Sequence, residues 1–170
     1  MKKIVILLAC SLLTSAIAFS QTSSPKVGWL NSSELLSAMP ERAKADSDMA
    51  KYAKSFQDAI DDMMKEYQTK GQQYQANEKT MSDAIKEVKM KEIQDLQNRI
   101  EGMQQSAQEK LQQKKQDVYA PILEKAQKAI ESVAKEKSYD YIFDKSGGTL
   151  LYGREGDNIL PLVKAKLGIK

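Results

Sequence analysis

From Pro40 to Lys137 the apolar residues return every three or four positions and polar residues fill the rest. That period puts one apolar stripe on an α-helix and leaves its other faces in water. The stretch holds only two glycines, Gly71 and Gly102, and one interior proline, Pro121. A single helix over it would run roughly 145 Å at about 1.5 Å per residue, an improbable lone rod in so small a protein. The pattern predicts two antiparallel helices instead, each covering the other's stripe. On the first, Ala45, Met49, Tyr52, Phe56, Ile60, Met63, Tyr67, Tyr74 and Met81 share one side, with Lys70 and Asn77 at seam positions. On the second the stripe is Ile85, Val88, Ile93, Leu96, Ile100, Met103, Ala107, Leu111, Val118, Ile122, Ala126, Ala129 and Val133, with Lys114 standing where an apolar side chain belongs. The reversal is expected near 78–84, where Asn77 to Asp83 gathers Asn, Thr, Ser and Asp, and Thr80 or Ser82 could cap the returning helix. Gly71 weakens its helix by about 1 kcal/mol relative to Ala. Pro121 predicts a kink near Val118.

The period changes at both ends. Lys26 to Leu30 suits a strand. Asn31 and Glu34 then have the spacing of a capping box, opening a short helix through Leu35, Leu36 and Met39 that Pro40 stops. Tyr139 to Asp144 reads as a strand with one dry face, Tyr139, Tyr141 and Phe143 alternating against Asp140 and Asp144. Lys145 to Gly148 is a turn, and Thr149 to Tyr152 a further strand. Asp157 or Asn158 caps a last helix, Ile159 to Leu167, with Pro161 in its first turn and Gly168 after it. The expected fold is therefore mainly α with a small β part. A long helical hairpin (41–137) stands on a three-stranded base made from 21–40 and 138–170. Three strands leave open edges, and pairing between copies of the chain is the natural way to cover them.

Residues 1–20 change the charge account. Met1-Lys2-Lys3, the apolar run Ile4 to Leu13, and the small residues around Ala16-Ile17-Ala18 and Ser20 have the form of a secretory signal peptide. The full chain has 26 basic and 23 acidic side chains, and loss of Lys2 and Lys3 brings it close to neutrality. Positions 41–137 carry 18 of each sign. Basic stripes interleaved with aromatics are missing, so nucleic acid is not an expected partner. Leu7-Leu8-Ala9-Cys10 has the shape of a lipidation box. The apolar run before Cys10 is short for that use, and removal of the segment leaves no cysteine for disulfide or thiol chemistry. With no histidine, no phosphate-cradling glycine loop and no carboxylate pair away from a helix surface, the residues do not describe an enzyme, and no cofactor is expected.

The chain resembles the Skp/OmpH family of periplasmic chaperones. The likeness rests on Lys26-Val27-Gly28-Trp29-Leu30-Asn31 followed by Ser33-Glu34-Leu35-Leu36, on Tyr119-Ala120-Pro121-Ile122-Leu123, and on Ala129-Ile130 with Val133-Ala134. Tyr139-Asp140-Tyr141-Ile142-Phe143-Asp144, Gly147-Gly148 and Asp157-Asn158-Ile159 complete it. The resemblance implies a homotrimer in which strands of three subunits join into a small β-barrel body. Three helical hairpins would hang from that body as tentacles around a cavity that holds unfolded outer-membrane proteins, without ATP. Two departures stand out. The family is often strongly basic and this chain is not. A lipopolysaccharide site built from clustered basic residues on the returning helix is not carried over either, since only Lys110, Lys114 and Lys115 lie nearby and no arginine run is present.

On this reading Val27, Trp29, Leu30, Tyr141, Ile142, Phe143 and Leu150 form the base core and the interface between copies. Met63, Tyr67, Tyr74 and Met81 are first of all seam residues, and as soft or flat apolar groups they are also candidates for contact with an unfolded chain. Met64 and Met90 fall off the seam, which favours them as contact residues. Lys70, Asn77, Lys89 and Lys114 interrupt apolar layers, so the arms should be only marginally stable toward the tip. A competing reading is an exported coiled coil that tethers envelope components, with a lipid on Cys10 as its anchor. It would bind one folded partner and ignore denatured chains.

Overall fold

The computed structural model describes residues 24–169; the expected signal peptide, residues 1–20, and Cys10 within it lie outside them. Strand β1 (Val27–Leu30) is followed by α1 (Ser32–Ala38), α2 (Pro40–Asn77), a 3-10 turn at Glu78–Thr80 and α3 (Asp83–Glu136). Strand β2 (Tyr141–Asp144), a second 3-10 turn at Glu155–Asp157 and α4 (Leu160–Lys166) complete the chain. Helices α2 and α3 lie against each other as the long hairpin.

Local chemistry fixes each junction. Asn31 Oδ1 accepts from the Glu34 backbone N–H at 3.1 Å and so caps α1. The Glu34 carboxylate takes Lys164 Nζ of α4 at 3.0 Å. Pro40 opens α2 in its first turn, where a missing N–H costs nothing. The reversal occupies Glu78 to Ser82, and Ser82 holds the N-cap position of α3 without a side-chain capping bond. Helix α3 continues through Pro121. It ends in paired bonds, Tyr139 N–H to Ala134 O at 2.9 Å and Ser138 N–H to Lys135 O at 3.3 Å. That is a Schellman closure, and it holds Ser138 at φ 53°, a conformation that glycine adopts more cheaply. Gly168 ends α4 by the same geometry at φ 71°.

The sheet corrects the expected base. Among the described residues it has two strands, β1 and β2, and they run parallel, with Val27 opposite Tyr141 and Leu30 opposite Asp144. Thr149 to Tyr152 is not a strand. Beyond the Lys145–Gly148 turn the chain does not fold back on β2 but crosses to cover Trp29. The indole Nε1 donates to Arg154 O at 2.8 Å, and Gly153 lies so close that a Cβ there would come within 2.5 Å of that nitrogen. Ile142 packs on the core, while Tyr141 and Phe143 face away, because the helices cover the Ile142 side. The last helix is shorter than expected: Ile159, not Asp157 or Asn158, holds its N-cap position without a side-chain capping bond, and Asn158 Oδ1 accepts from Leu160 N–H at 3.0 Å in the turn before it.

The core sits at the base. Leu30, Leu35, Met39, Ile159 and Val163 are fully buried there, and α3 adds Ile122, Ala126, Ala129 and Val133 from beyond Pro121. Burial of each large aliphatic side chain contributes about 1.5–3 kcal/mol. Farther out, only Leu96, Ile100 and Ala107 of the arm are buried, all on α3. Ile85 and Val88, expected on the stripe, are exposed. Near the tip Lys70, Tyr74, Asn77 and Met81 share a hollow with Lys89, Glu92 and Ile93 of α3, and neither Ile85 nor Val88 lines it.

Asp144 ties the end of the sheet to the start of α1. Its carboxylate accepts from Ser32 N–H at 3.0 Å and Ser32 Oγ at 2.5 Å, and from Ser146 N–H at 2.9 Å and Ser146 Oγ at 2.7 Å. Burial alone would raise this carboxyl, but the bonds from Ser32 and Ser146 outweigh it and hold it well below the usual carboxylate range. A carboxyl depressed in the folded state stabilises fully above its unfolded value, near 4, and loses that contribution as pH falls through its folded value. Asp144→Asn should therefore cost about 1 kcal/mol at pH 7 in urea unfolding, and the cost should shrink below about pH 4. An equal cost at pH 7 and pH 3 would contradict this account.

Candidate functional site

Two surfaces collect the residues singled out by the sequence. The first is the outer face of the sheet. Register puts Val27, Trp29, Tyr141 and Phe143 on one side, and only Trp29 among them is buried. Tyr141 is 59 % exposed and Phe143 47 %. Lys145 Nζ lies 4.7 Å from the Trp29 ring centroid, and the half-buried Leu150 shares with Val27, Phe143 and Tyr152 a hollow of about 350 Å³ beside it. Leu30 and Ile142 instead belong to the inner, helix-covered side. Beyond the unpaired edge of β2, a second hollow of about 320 Å³ runs between Tyr141–Asp144 and the Gln127, Ile130 and Ala134 positions of α3. Leu151, 89 % exposed, and Tyr152 were not singled out by the sequence; their unpaired state became visible only when the strand at 149–152 failed to form.

The second surface is the distal arm. Met63, Tyr67, Tyr74 and Met81 are half-buried along the contact between α2 and α3. Met64 and Met90 are exposed, Met90 at 58 %. Met90 nonetheless joins Tyr67 and Tyr74 around Gly71 and Ile93. The structure thus brings three of the six candidate arm residues to one hollow, while Met63, Met64 and Met81 lie outside it. Gly71 was the signal available in the sequence, since a mid-helix glycine asks for a reason.

At the root the arms are clasped by polar groups. Tyr119 OH donates to Asp46, which also takes Arg42 Nε at 2.9 Å, and the Arg42 guanidinium lies 4.9 Å from the Tyr119 ring centroid. The hydrogen bond from Tyr119, then that from Arg42, lowers the Asp46 carboxyl, and the bond to Asp46 raises the Tyr119 phenol. Lys125 of α3 pairs with Glu41 of α2, lowering that carboxyl in turn. Toward the tip the ion pair between helices is Lys70 with Glu92 at 3.4 Å. No group of three or more metal-ligating side chains occurs among the described residues, and no described helix is long and apolar enough to cross a membrane.

The model of the family described as outer membrane protein (OmpH-like) matches residues 26–167, which takes in the base and both arms. The chain belongs to the OmpH-like family. OmpH-like and Skp proteins are periplasmic chaperones of outer-membrane proteins, not enzymes. A crystal structure of an OmpH-like protein from Caulobacter crescentus CB15, proposed to be an outer membrane chaperone, superposes with a TM-score of 0.75 at 13 % identity over 85 % of each chain. At that identity the likeness speaks for the OmpH-like fold alone. No curated protein matches the chain.

The burial gradient along the arm generates a prediction. Amide hydrogen exchange should be slow in β1, β2 and residues 122–133 of α3, and faster by orders of magnitude in residues 63–95 around the tip. Uniform strong protection from Phe56 to Leu111 would show that the arm is as stable as the base.

Proposed function

We propose that this protein is an ATP-independent holdase of the periplasm, delivered there by residues 1–20, that takes unfolded outer-membrane proteins between its helical arms and prevents their aggregation. The observation that carries the reading is the arm itself. A hairpin that leaves Ile85, Val88, Met64 and Met90 in water near its tip, while its base is densely buried, presents soft apolar groups without collapsing on them. Membership in the OmpH-like family supplies the class of client. Such work calls for no cofactor or nucleotide: a holdase needs many weak, reversible contacts.

Assembly as a homotrimer through the base is the second half of the proposal. The support is the exposed Val27–Tyr141–Phe143 face, the unpaired edge of β2 with its hollow, and the strand-prone segment Thr149–Tyr152 left without a partner in the single chain. A neighbouring copy could satisfy all of them, joining the sheets into a barrel body.

Dilution of a urea-unfolded outer-membrane barrel into buffer should scatter strongly alone and stay clear with a molar excess of residues 21–170. Unchanged scattering would reject the holdase reading and favour a tether for a folded partner. Light scattering of the same protein alone should give the mass of a trimer. Phe143→Asp should reduce it to monomers with helix content kept, because the ring is half-exposed in the single chain. A Phe143→Asp protein that stays trimeric would place the contact elsewhere.

A further inference from the structure

At one height the arm presents two different chemistries on its two sides. One side carries an ion network: Lys70 Nζ lies 3.4 Å from Glu92 and 3.6 Å from Glu66, and Lys89 Nζ lies 3.0 Å from Glu92. The other side is a hollow of about 490 Å³ lined by Tyr67, Gly71, Tyr74, Met90, Ile93 and five glutamines. No carboxylate, ammonium or guanidinium lines it, in a chain where 29 % of residues are charged. Gly71 has no ordinary justification. Its φ is not positive, and a Cβ built on it would meet nothing within 4 Å, so neither backbone conformation nor close helix packing requires glycine. The residue only weakens its helix. What its missing side chain leaves is a gap on the helix face between Tyr67 and Tyr74, its neighbours four positions before and three after.

We propose that this notch is a discrete binding site for an uncharged, extended stretch of polypeptide, with an aromatic or large aliphatic side chain seated in the gap at Gly71. The site deepens the holdase reading and rests on it. A charged ligand would find no counter-charge in its lining. The glutamine carboxamides each offer a donor and an acceptor, which match the N–H and C=O groups of an unfolded backbone and have no counterpart on a lipid tail. Tyr67, Tyr74 and the Met90 thioether provide flat and polarisable surface for a ring. The volume falls within the range that accommodates a side chain with adjoining backbone.

The test uses residues 21–170 with two probes: the urea-unfolded outer-membrane barrel, and a neutral capped peptide of alternating Gly, Ser and Phe. Gly71→Gln fills the gap with a better helix former, Gln94→Glu charges its lining, and Gly102→Gln repeats the glycine change outside the notch. With the wild type the peptide should shift the Met90 methyl resonance. Gly71→Gln and Gln94→Glu should each weaken peptide binding about fivefold or more, with Gly71→Gln melting no lower than the wild type. Gly102→Gln should leave binding unchanged. Peptide affinity unaltered by Gly71→Gln, an equal loss in Gly102→Gln, or an equal Met90 shift from a detergent monomer would overturn the notch. If the wild type suppresses barrel aggregation in the same experiment, only the notch fails. If it suppresses none, the holdase reading fails first.

Discussion

The parallel pairing of β1 with β2 constrains everything else. Two strands that run the same way can be neighbours only if the chain leaves one end of the sheet and is brought back to the other by a crossover. Here that crossover is the entire helical hairpin, more than a hundred residues between Leu30 and Tyr141. The seal between the chain's two ends is thin. Gly28, opposite Ile142, has Ile159 and the Tyr139 ring where its own side chain would be, each at 3.0 Å from a Cβ built there. Carboxylates of β2 and its flank fasten both ends: Asp140 accepts from Lys26 N–H at 2.6 Å, and Asp144 from Ser32. Beside these, α4 joins the base through Glu34–Lys164 and Glu136–Lys166. The base is thereby closed around the root of the arm, which gives it Ala45, Ile122, Ala126, Ala129 and Val133, and the distal arm is free to be poorly packed.

The helices, the reversal and the base-facing end of α3 were legible in the sequence because a 3.6-residue period extends over many turns and averages out local exceptions. Asn31, Pro40 and Gly168 were legible because each does a job that depends on its own backbone. What failed was decided by partners. Thr149 to Tyr152 has the composition of a strand, but a strand exists only when another offers its edge, and within one chain the segment is drawn instead across Trp29. Which side of β2 meets the helices was likewise decided by partners: Ile142 occupies the covered side, and Tyr141 and Phe143 the side left open in the single chain. Ile85 and Val88 lie in step with the stripe, but periodicity cannot show that the opposing helix offers Lys70 and Asn77 at that height. For the arm site, the sequence marked Tyr67, Tyr74 and Met90 individually and could not show that Gly71 gathers them.

A poor seam raises the question of what keeps the arms helical. Burial does little, since beyond Ala45 helix α2 contributes no buried side chain among the described residues and the distal part of α3 contributes Leu96, Ile100 and Ala107. Local pairs four residues apart take over: Gln97 with Glu101 at 3.1 Å, Gln105 with Glu109 at 3.2 Å, Gln113 with Asp117 at 2.8 Å, and the ion pair Lys54–Asp58 at 2.7 Å. Each is weak, but a helix polar on most faces persists by many such pairs, and they belong to one helix at a time. Helix integrity is thus uncoupled from contact between the helices. Two rods clasped at the root by Asp46, Tyr119, Glu41 and Lys125 thus depend on each other most at the base and least toward the tip. Glutamine does this with less dependence on salt than a lysine–carboxylate pair, because its donor carries no charge to be screened. Gln97 combines two of these uses: its amide pairs with Glu101 along α3 and also lines the uncharged hollow beside Gly71.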